Sequence, residues 1–136
     1  MTKIQSLLLG AVLLAINFNA RADFAFGTPG FSPDSACLDA RAKAILLDVA
    51  EILKRYPDSK IRIFGSRGQL ERDASVSQRR LDNAMKFLTE NGIERDRILL
   101  QDDGTSSPLQ PNCIKSDVPD DCDEYNRNIR PQLLTP

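Results

Sequence analysis

The apolar and polar positions of this chain recur with two different periods, and the longer period predicts a first helix. Apolar side chains fall on one stripe at helical spacing, with charged residues between them. The stripe consists of Leu38, Ala42, Ile45, Leu46, Val49, Ile52 and Leu53. Ser32, Pro33 or Asp34 can begin this helix, and the Tyr-Pro-Asp sequence at residues 56–58 ends it.

A short strand and a second helix come next. A period-2 run at Ile61–Gly65 predicts the strand, and the polar residues that follow cannot continue it. Asp73 or Ser75 can cap a helix whose apolar positions fall at i, i+3, i+4 and i+7. Those positions are Leu81, Ala84, Met85 and Leu88. The helix is predicted to end at residue 89 or 90, where Asn91-Gly92 suits a left-handed C-cap.

Three further strands complete the predicted fold. Asp23–Gly30 contains a brief aromatic run, Arg97–Gln101 follows the second helix, and Asn126–Leu134 closes the chain at a sheet edge because of Pro131. Between the last two strands, residues 102–125 are rich in Asp, Ser, Pro and Gly and predict a long surface excursion. The order of elements predicts one α+β domain, a two-layer sandwich with two main helices on one face of a small mixed β-sheet.

Composition and charge exclude several classes of function. The chain has 136 residues, with 18 Lys and Arg against 19 Asp and Glu, so it lacks the basic excess of a general nucleic-acid binder. It contains no histidine, which removes the commonest general base and the commonest neutral metal ligand. The adjacent carboxylates of Asp102-Asp103 and Asp120-Asp121 point apart in an extended segment. We therefore expect neither an enzyme nor a bound cofactor or metal.

The N-terminus predicts export. Lys3 supplies a positive charge, Leu7–Ile16 is an apolar run, and Ala20-Arg21-Ala22 is a cleavage site before Asp23. The apolar run is too short for a retained membrane anchor, which needs about 20 residues. We predict a signal peptide at residues 1–22 and an exported mature domain at residues 23–136, without a transmembrane segment.

The three cysteines all lie in the predicted mature chain. Cys113 and Cys122 flank the segment IKSDVPDD, which lacks apolar residues to hold itself in place, so we predict a disulfide between them. Such a bridge is expected to add about 2 to 3 kcal/mol to the free energy of unfolding, because it restricts the unfolded chain. Cys37 is then left over. We expect it to be a small buried hydrophobic side chain near a helix start, with an intermolecular disulfide as the alternative.

The strand, loop and helix at residues 61–81 form a candidate anion site. The first turns of the second helix carry Arg79 and Arg80, close to the predicted end of the strand. Backbone N–H groups at a helix start and a nearby guanidinium can converge on one anion. A carboxylate or a phosphate fits such a site.

Several segments together resemble the OmpA-like peptidoglycan-binding domain, a family found on outer-membrane and periplasmic proteins. The segment FSPDSACLDARAKAILLDVAEILKRYPDSKIRIFG is similar to the family's first helix, its Tyr-Pro stop and its strand ending in glycine. The segment SVSQRRLDNAMKFLTENGIERDRI is similar to the L-S-x-x-R-A helix and the G-I-x-x-x-R-I link, and Asn126-Arg127 to the closing N-R-R. The resemblance spans nearly the whole mature chain and implies a βαβαβ-β domain that is not an enzyme. It also implies a place in the periplasm, either free or associated with the cell wall or outer membrane.

This resemblance implies a ligand and a site. Family members bind the peptide stem of peptidoglycan noncovalently, through the free carboxylate and amine of diaminopimelate. The ligand arginine of the family falls on Arg80, and Arg127 belongs to the closing motif. Ser66 and Gln69 are loop residues that can donate hydrogen bonds to the same ligand. Asn128 stands in place of the second closing arginine.

The chain also departs from the family pattern. The aspartate that follows the strand glycine is missing, because Ser66-Arg67-Gly68 stands at that place, and the loop is shorter. The sequence therefore predicts weak peptidoglycan binding, which Gly68→Asp combined with Arg67→Thr is expected to strengthen. Glu71 or Asp73 can reach back toward the site.

One alternative to ligand binding stays open. Arg80 can be an ordinary helix arginine, solvated or paired with Asp73, Asp34 or Glu71. In that case the domain has lost the ligand pocket and acts as a structural or protein-interaction component of the envelope. The excursion at residues 102–125 then offers a surface for another envelope protein.

Overall fold

A computed structural model describes residues 25–136, so the predicted signal peptide and the predicted mature N-terminus at Asp23 lie outside the described residues. Two 3-10 turns, Arg95–Arg97 and Cys113–Lys115, lie between the regular elements. The elements are α1 (Ala40–Arg55), β1 (Lys60–Ser66), α2 (Val76–Glu90), β2 (Ile98–Gly104), α3 (Pro119–Glu124) and β3 (Asn128–Leu134). No helix within the described range is long and apolar enough to cross a bilayer.

The sheet has three strands in the order β2-β1-β3. Strand β1 runs parallel to β2, with Ile61 opposite Ile98, and antiparallel to β3, with Ile63 opposite Pro131. Helix α2 makes the crossover between the parallel strands, as that connection requires. The sheet is therefore mixed, and the predicted α+β sandwich is confirmed.

The predicted first strand does not form within the described residues. The segment meets β3 only through isolated bridges, from Ala25 to Gln132 and from Gly30 to Asn128. Pro29 and Pro131 both lack an N–H, so a continuous ladder between the two segments cannot be completed. The segment instead lies along the outer edge of β3 as a strap.

Helix α1 begins later than predicted. Its N-cap is Asp39, whose side chain accepts a hydrogen bond of 2.7 Å from the amide of Ala42. The predicted start at residues 32–34 is wrong, because Asp34 has a φ of 55° and belongs to a turn rather than to a helix. Residues 31–38 are thereby left outside the helix, and they cover the N-terminal end of α2.

The core lies between the two long helices and the sheet. Its buried members come from the predicted stripes of both helices and from one face of the strands, including Leu46, Val49, Leu53, Ile61, Ile63, Leu81, Ala84, Leu88 and Ile129. Gly65 ends this face of β1 because a Cβ there would lie 2.6 Å from Cγ of Leu81. Helix α2 ends at Glu90 as predicted, and Gly92 follows with a φ of 90°.

The cysteines pair as predicted, and the third one is placed differently. Cys113 and Cys122 form a disulfide with an S–S distance of 2.03 Å, and Cys37 is free. The expectation that Cys37 is buried is wrong, because its side chain is exposed. It lies in the segment that precedes α1, so it does not share the buried stripe of that helix.

Candidate functional site

The guanidinium of Arg80 lies at the centre of the candidate site, completely buried. Its Nε donates a hydrogen bond of 2.9 Å to the carbonyl of Ser35. Nη1 donates to the carbonyl of Ser66 at 3.2 Å and to Oε1 of Glu71 at 2.7 Å. Nη2 donates to the carbonyl of Ser32 at 3.3 Å and to Oε2 of Glu71 at 2.6 Å. A guanidinium has five N–H donors, so all of its donors are used inside the domain.

The surroundings of Arg80 explain how a charge is tolerated there. The ring of Phe31 lies 4.8 Å from the guanidinium carbon, in a cation–π contact. Asn83, one turn further along α2, donates a hydrogen bond of 2.8 Å to the carbonyl of Ala36. Helix α2 therefore holds the segment that covers it at several points. Because a buried charge is costly without a partner, the ion pair with Glu71 is required for this packing.

The carboxylate of Glu71 is bound by a guanidinium and by backbone amides. Besides the two bonds from Arg80, Glu71 accepts two hydrogen bonds from backbone amides. Oε1 accepts one of 2.8 Å from the amide of Gly68, and Oε2 accepts one of 2.9 Å from the amide of Asp34. Only 1% of its side chain is exposed. Bidentate contact with a guanidinium and further bonds from backbone amides are features of a carboxylate-binding site. In this chain the carboxylate belongs to the loop that follows β1.

Asp34 and Glu71 fasten two segments to one another. While the amide of Asp34 binds Glu71, the Asp34 side chain accepts hydrogen bonds from the amides of Arg72 and Asp73, at 2.8 and 3.0 Å. The turn at Asp34 and the loop at residues 68–73 are therefore linked by reciprocal bonds. Any ligand that is to reach Arg80 must first separate them.

A second buried carboxylate, that of Asp123 in α3, holds the same loop from the other side. Its Oδ1 accepts a hydrogen bond of 2.8 Å from the amide of Gln69, and its Oδ2 accepts one of 3.0 Å from the amide of Leu70. The side-chain amide of Asn126 donates a hydrogen bond of 3.2 Å to the same Oδ1. A Cβ on Gly68 would lie 2.0 Å from Oδ2 of Asp123. The expected benefit of Gly68→Asp is therefore inconsistent with the packing, since the new side chain would clash with an existing carboxylate.

Most of the predicted ligand residues are buried, and Gln69 is half-buried. Ser66 is buried, and its hydroxyl has no hydrogen-bond partner among the described residues. Gln69 is half-buried and is fixed through its amide on Asp123. Arg127 is buried, and its Nε donates a hydrogen bond of 2.8 Å to the carbonyl of Phe31. The ring of Phe31 is the one that lies over Arg80. The roles of these side chains toward a ligand stay predictions.

Residues that differ from the family pattern also have structural partners. The side-chain amide of Asn128 donates a hydrogen bond of 2.7 Å to the carbonyl of Tyr125 and so closes the turn before β3. The amide of Arg67 donates 2.9 Å to the carbonyl of Gly104, and its guanidinium makes no salt bridge with any described residue. A positive charge without a carboxylate partner therefore lies in the loop, where the predicted ligand ammonium would need a negative one.

Asp123 was missed by the sequence analysis. It lies in a run that also contains Asp117, Asp120, Asp121 and Glu124, and local sequence does not distinguish it from them. The one available signal was its position directly after Cys122, where a disulfide fixes the backbone. Its neighbours Asp120, Asp121 and Glu124 are exposed, as their composition suggests.

An exposed carboxylate marks the start of α2. Asp73 accepts hydrogen bonds from the amide and hydroxyl of Ser75, at 2.9 and 2.6 Å, and pairs with Arg79. The bonds from Ser75, and then the contact with Arg79, lower the pKa of Asp73 from 3.8 to about 2. Arg79 is thus engaged on the surface, whereas its neighbour Arg80 points into the core.

Comparison with known proteins identifies related sequences. A family model described as the OmpA family matches residues 30–119. The probable lipoprotein YiaD of Escherichia coli is 31% identical over 85 residues, which covers 60% of this chain and 39% of the relative. The matched part of this chain thus corresponds to about two fifths of the length of that curated relative.

Solved structures share the fold at lower identity. The peptidoglycan-associated lipoprotein of Burkholderia pseudomallei aligns with a TM-score of 0.69 and 19% identity, over 79% of this chain and 89% of the other. The C-terminal domain of Helicobacter pylori MotB aligns with a TM-score of 0.68 and 16% identity, over 81% of this chain and 85% of the other. The OmpA-like domain of FopA1 from Francisella tularensis has a TM-score of 0.64 and 16% identity, over 79% and 69% of the two chains.

Proposed function

Because this chain belongs to the OmpA family, we propose that it is a non-catalytic module of the cell envelope that binds the peptide of peptidoglycan noncovalently and weakly. Its place is the periplasm, after removal of residues 1–22. The observation that carries the proposal is the Glu71 carboxylate on Arg80. The site has the donors for a carboxylate, and the chain itself supplies a competitor.

The competitor explains why binding is weak. Glu71 lies nine residues before Arg80 in the same chain, so it meets Arg80 at the high effective concentration of an intramolecular group. A ligand carboxylate binds only the fraction of molecules in which Glu71 has left, and its apparent affinity falls in proportion. The ligand ammonium gains little, because Asp123 is already bound to backbone amides.

The proposal is tested by removing the competitor. Glu71→Ala frees two donors of Arg80, and we expect sodium acetate to raise the melting temperature of this variant above that in sodium chloride of equal ionic strength. We also expect more of it to sediment with purified sacculi than of the parent protein, by about tenfold. The double variant Glu71→Ala/Arg80→Ala is expected to lose both effects.

A matched control separates the site from general charge effects. Asp73→Ala also removes a carboxylate from an arginine of α2, but that pair lies on the surface. We expect this variant to show no acetate effect and no gain in sedimentation. If Glu71→Ala is folded by circular dichroism and behaves like Asp73→Ala, Arg80 is not a ligand site and the proposal is overturned.

A second candidate function is favoured by a separate observation. Several large apolar side chains of the excursion are exposed, namely Leu109, Ile114, Val118 and Tyr125. They lie among exposed carboxylates, which suits a partner segment that carries both basic and apolar residues. If this surface is in use, a photo-crosslinker placed at Ile114 is expected to capture one defined envelope protein. Adding Tyr125→Ser, which removes an exposed aromatic side chain of the same surface, is expected to reduce that capture.

A further inference from the structure

We propose that the disulfide between Cys113 and Cys122 keeps the Arg80 site closed and that its reduction by a dithiol opens the site to a ligand carboxylate. The inference rests on the proposed function and adds a regulation to it. It follows from a continuous series of contacts that runs from the disulfide through Asp123 and the loop at residues 68–71 to Arg80.

The first step concerns what holds α3. This helix has only six residues, and a helix of that length is not stable by itself. Within the described chain, Cys113 is the only fully buried apolar side chain between Ile98 and Ile129. The excursion therefore has no hydrophobic core of its own. The covalent link from buried Cys113 to Cys122 fixes the helix in place.

The second step concerns what α3 holds. Asp123 directly follows Cys122, and its two carboxylate oxygens bind the amides of Gln69 and Leu70. Asn126 supports Asp123 and is itself bonded to Gln110 at the base of the excursion, with both bonds at 2.9 Å. Gln110 and Asn126 are therefore joined by hydrogen bonds that do not depend on the disulfide. The disulfide adds a covalent attachment at Cys122, directly before Asp123.

The third step concerns the loop itself. Gln69 and Leu70 lie between Gly68, whose amide binds Glu71, and Glu71. With their amides held by Asp123, the loop cannot move away from Arg80 without breaking two charge-assisted hydrogen bonds. Asp123 is thus a positioning residue, because it acts on the site through the loop and does not touch Arg80. Once Asp123 is mobile, the loop that carries Glu71 is held by two fewer hydrogen bonds.

The chemistry balances with a dithiol as the reductant. A thiolate of the reductant attacks Cys122, which is half-buried, whereas Cys113 is fully buried. A mixed disulfide forms at Cys122, and Cys113 leaves as a thiolate that takes up a proton. The second thiol of the reductant displaces Cys122. The reductant leaves as a cyclic or protein disulfide, and this protein has gained two electrons and two protons as two thiols.

Hydrogen exchange is the direct test. All proteins carry Cys37→Ser, so that the exposed free thiol cannot exchange with the disulfide. We expect the amides of Gly68, Gln69 and Leu70 to exchange on the order of tenfold faster after reduction with dithiothreitol. The variant with serine at both Cys113 and Cys122 is expected to show the same change without any reductant. A carboxylate-containing reductant is avoided because it could occupy the opened site.

Two further variants separate the contact from the covalent bond. Asp123→Asn leaves the disulfide intact but weakens the bonds to the loop, so we expect the same increase in exchange while oxidised. Asp120→Asn changes an exposed carboxylate of the same helix and is the matched control, with no expected effect. Equal exchange at residues 68–70 in the oxidised and reduced proteins would overturn the proposal.

Sedimentation with sacculi connects the opening to binding. We expect the reduced protein and oxidised Asp123→Asn to sediment more than the oxidised parent, and Glu71→Ala to be insensitive to reduction because its site is already open. If Glu71→Ala sediments but reduction changes nothing, the disulfide does not control the site, and the proposed function stands. If Glu71→Ala does not sediment, the proposed function fails, and hydrogen exchange still decides whether the disulfide holds the loop.

Discussion

Glu71 binds Arg80 through both carboxylate oxygens, at 2.7 and 2.6 Å, where neither side chain is reached by solvent. The pair is formed between the loop after β1 and the second turn of α2, so it joins two elements whose positions define the site. The same contact therefore contributes to folding and, under the proposed function, competes with a ligand for the arginine. Stability and ligand binding should then change together when the pair is altered.

Breaking the pair from one side is expected to destabilise the domain strongly. Glu71→Ala leaves a buried guanidinium without a carboxylate, which should cost about 3 to 5 kcal/mol in urea denaturation. Glu71→Leu combined with Arg80→Met should cost much less, because no charge is left buried. Glu90→Ala is the control, since the Lys86–Glu90 pair is exposed and 3.9 Å long and should contribute little. A loss below about 1 kcal/mol for Glu71→Ala would contradict the role of the pair in stability.

The surface pair at the start of α2 gives a pH prediction. The pKa of Asp73 is lowered to about 2 from 3.8, chiefly by hydrogen bonds from Ser75. Because the pKa is lower in the folded state, Asp73 stabilises the fold above pH 3.8, and this contribution is lost as the pH falls toward 2. A carbon-13 NMR titration should show this pKa, and Ser75→Ala should raise it. A value near 3.8 in the parent protein would contradict the observed hydrogen bonds.

The free cysteine gives a prediction about reactivity. Cys37 is exposed and should react with a maleimide in the native, oxidised protein. Cys113 and Cys122 should be labelled only after reduction. Mass mapping of labelled peptides measures this directly. Labelling of Cys37 that requires a denaturant would contradict the exposure of its side chain in the folded protein.

The close approach of β1 and α2 gives a packing prediction. Gly65→Ala places a methyl group 2.6 Å from Cγ of Leu81 and should destabilise the domain by about 1 to 3 kcal/mol. Leu81→Ala alone creates a cavity and should cost about 2 to 5 kcal/mol. The double variant should cost clearly less than the sum, because the new methyl partly fills that cavity. Additive losses would indicate that the two positions do not share the same space.

Much of the architecture could be predicted from periodicity. The stripes of α1 and α2 are continuous over several turns, and the period-2 run at residues 61–65 lies within β1, whose core-facing side ends at Gly65. The disulfide was predictable because its segment has no other means of fixation. These features depend on residues that are close in sequence or on one regular face.

The errors concern contacts between distant segments. Asp34 was a plausible helix start by its residue type, but its side chain binds the amides of Arg72 and Asp73 instead. Asp123 could not be singled out from neighbouring acids, because its partners lie 53 and 54 residues earlier. The alternative that paired Arg80 with Glu71 was available from the sequence, but Asp73 and Asp34 were equally available. Only the tertiary structure chooses among them.

The strap at residues 25–30 has a consequence for self-association. A three-stranded sheet has two edges that can pair with another copy, and such pairing begins aggregation. Along β3 the strap makes bridges at Ala25 and Gly30, and Pro131 offers no N–H to a visiting strand. Along β2, the exposed Asp102 would bring like charges together in a sheet that paired through two such edges. Covered and missing donors on one edge of the sheet and a negative charge on the other thus disfavour edge-to-edge pairing of identical molecules.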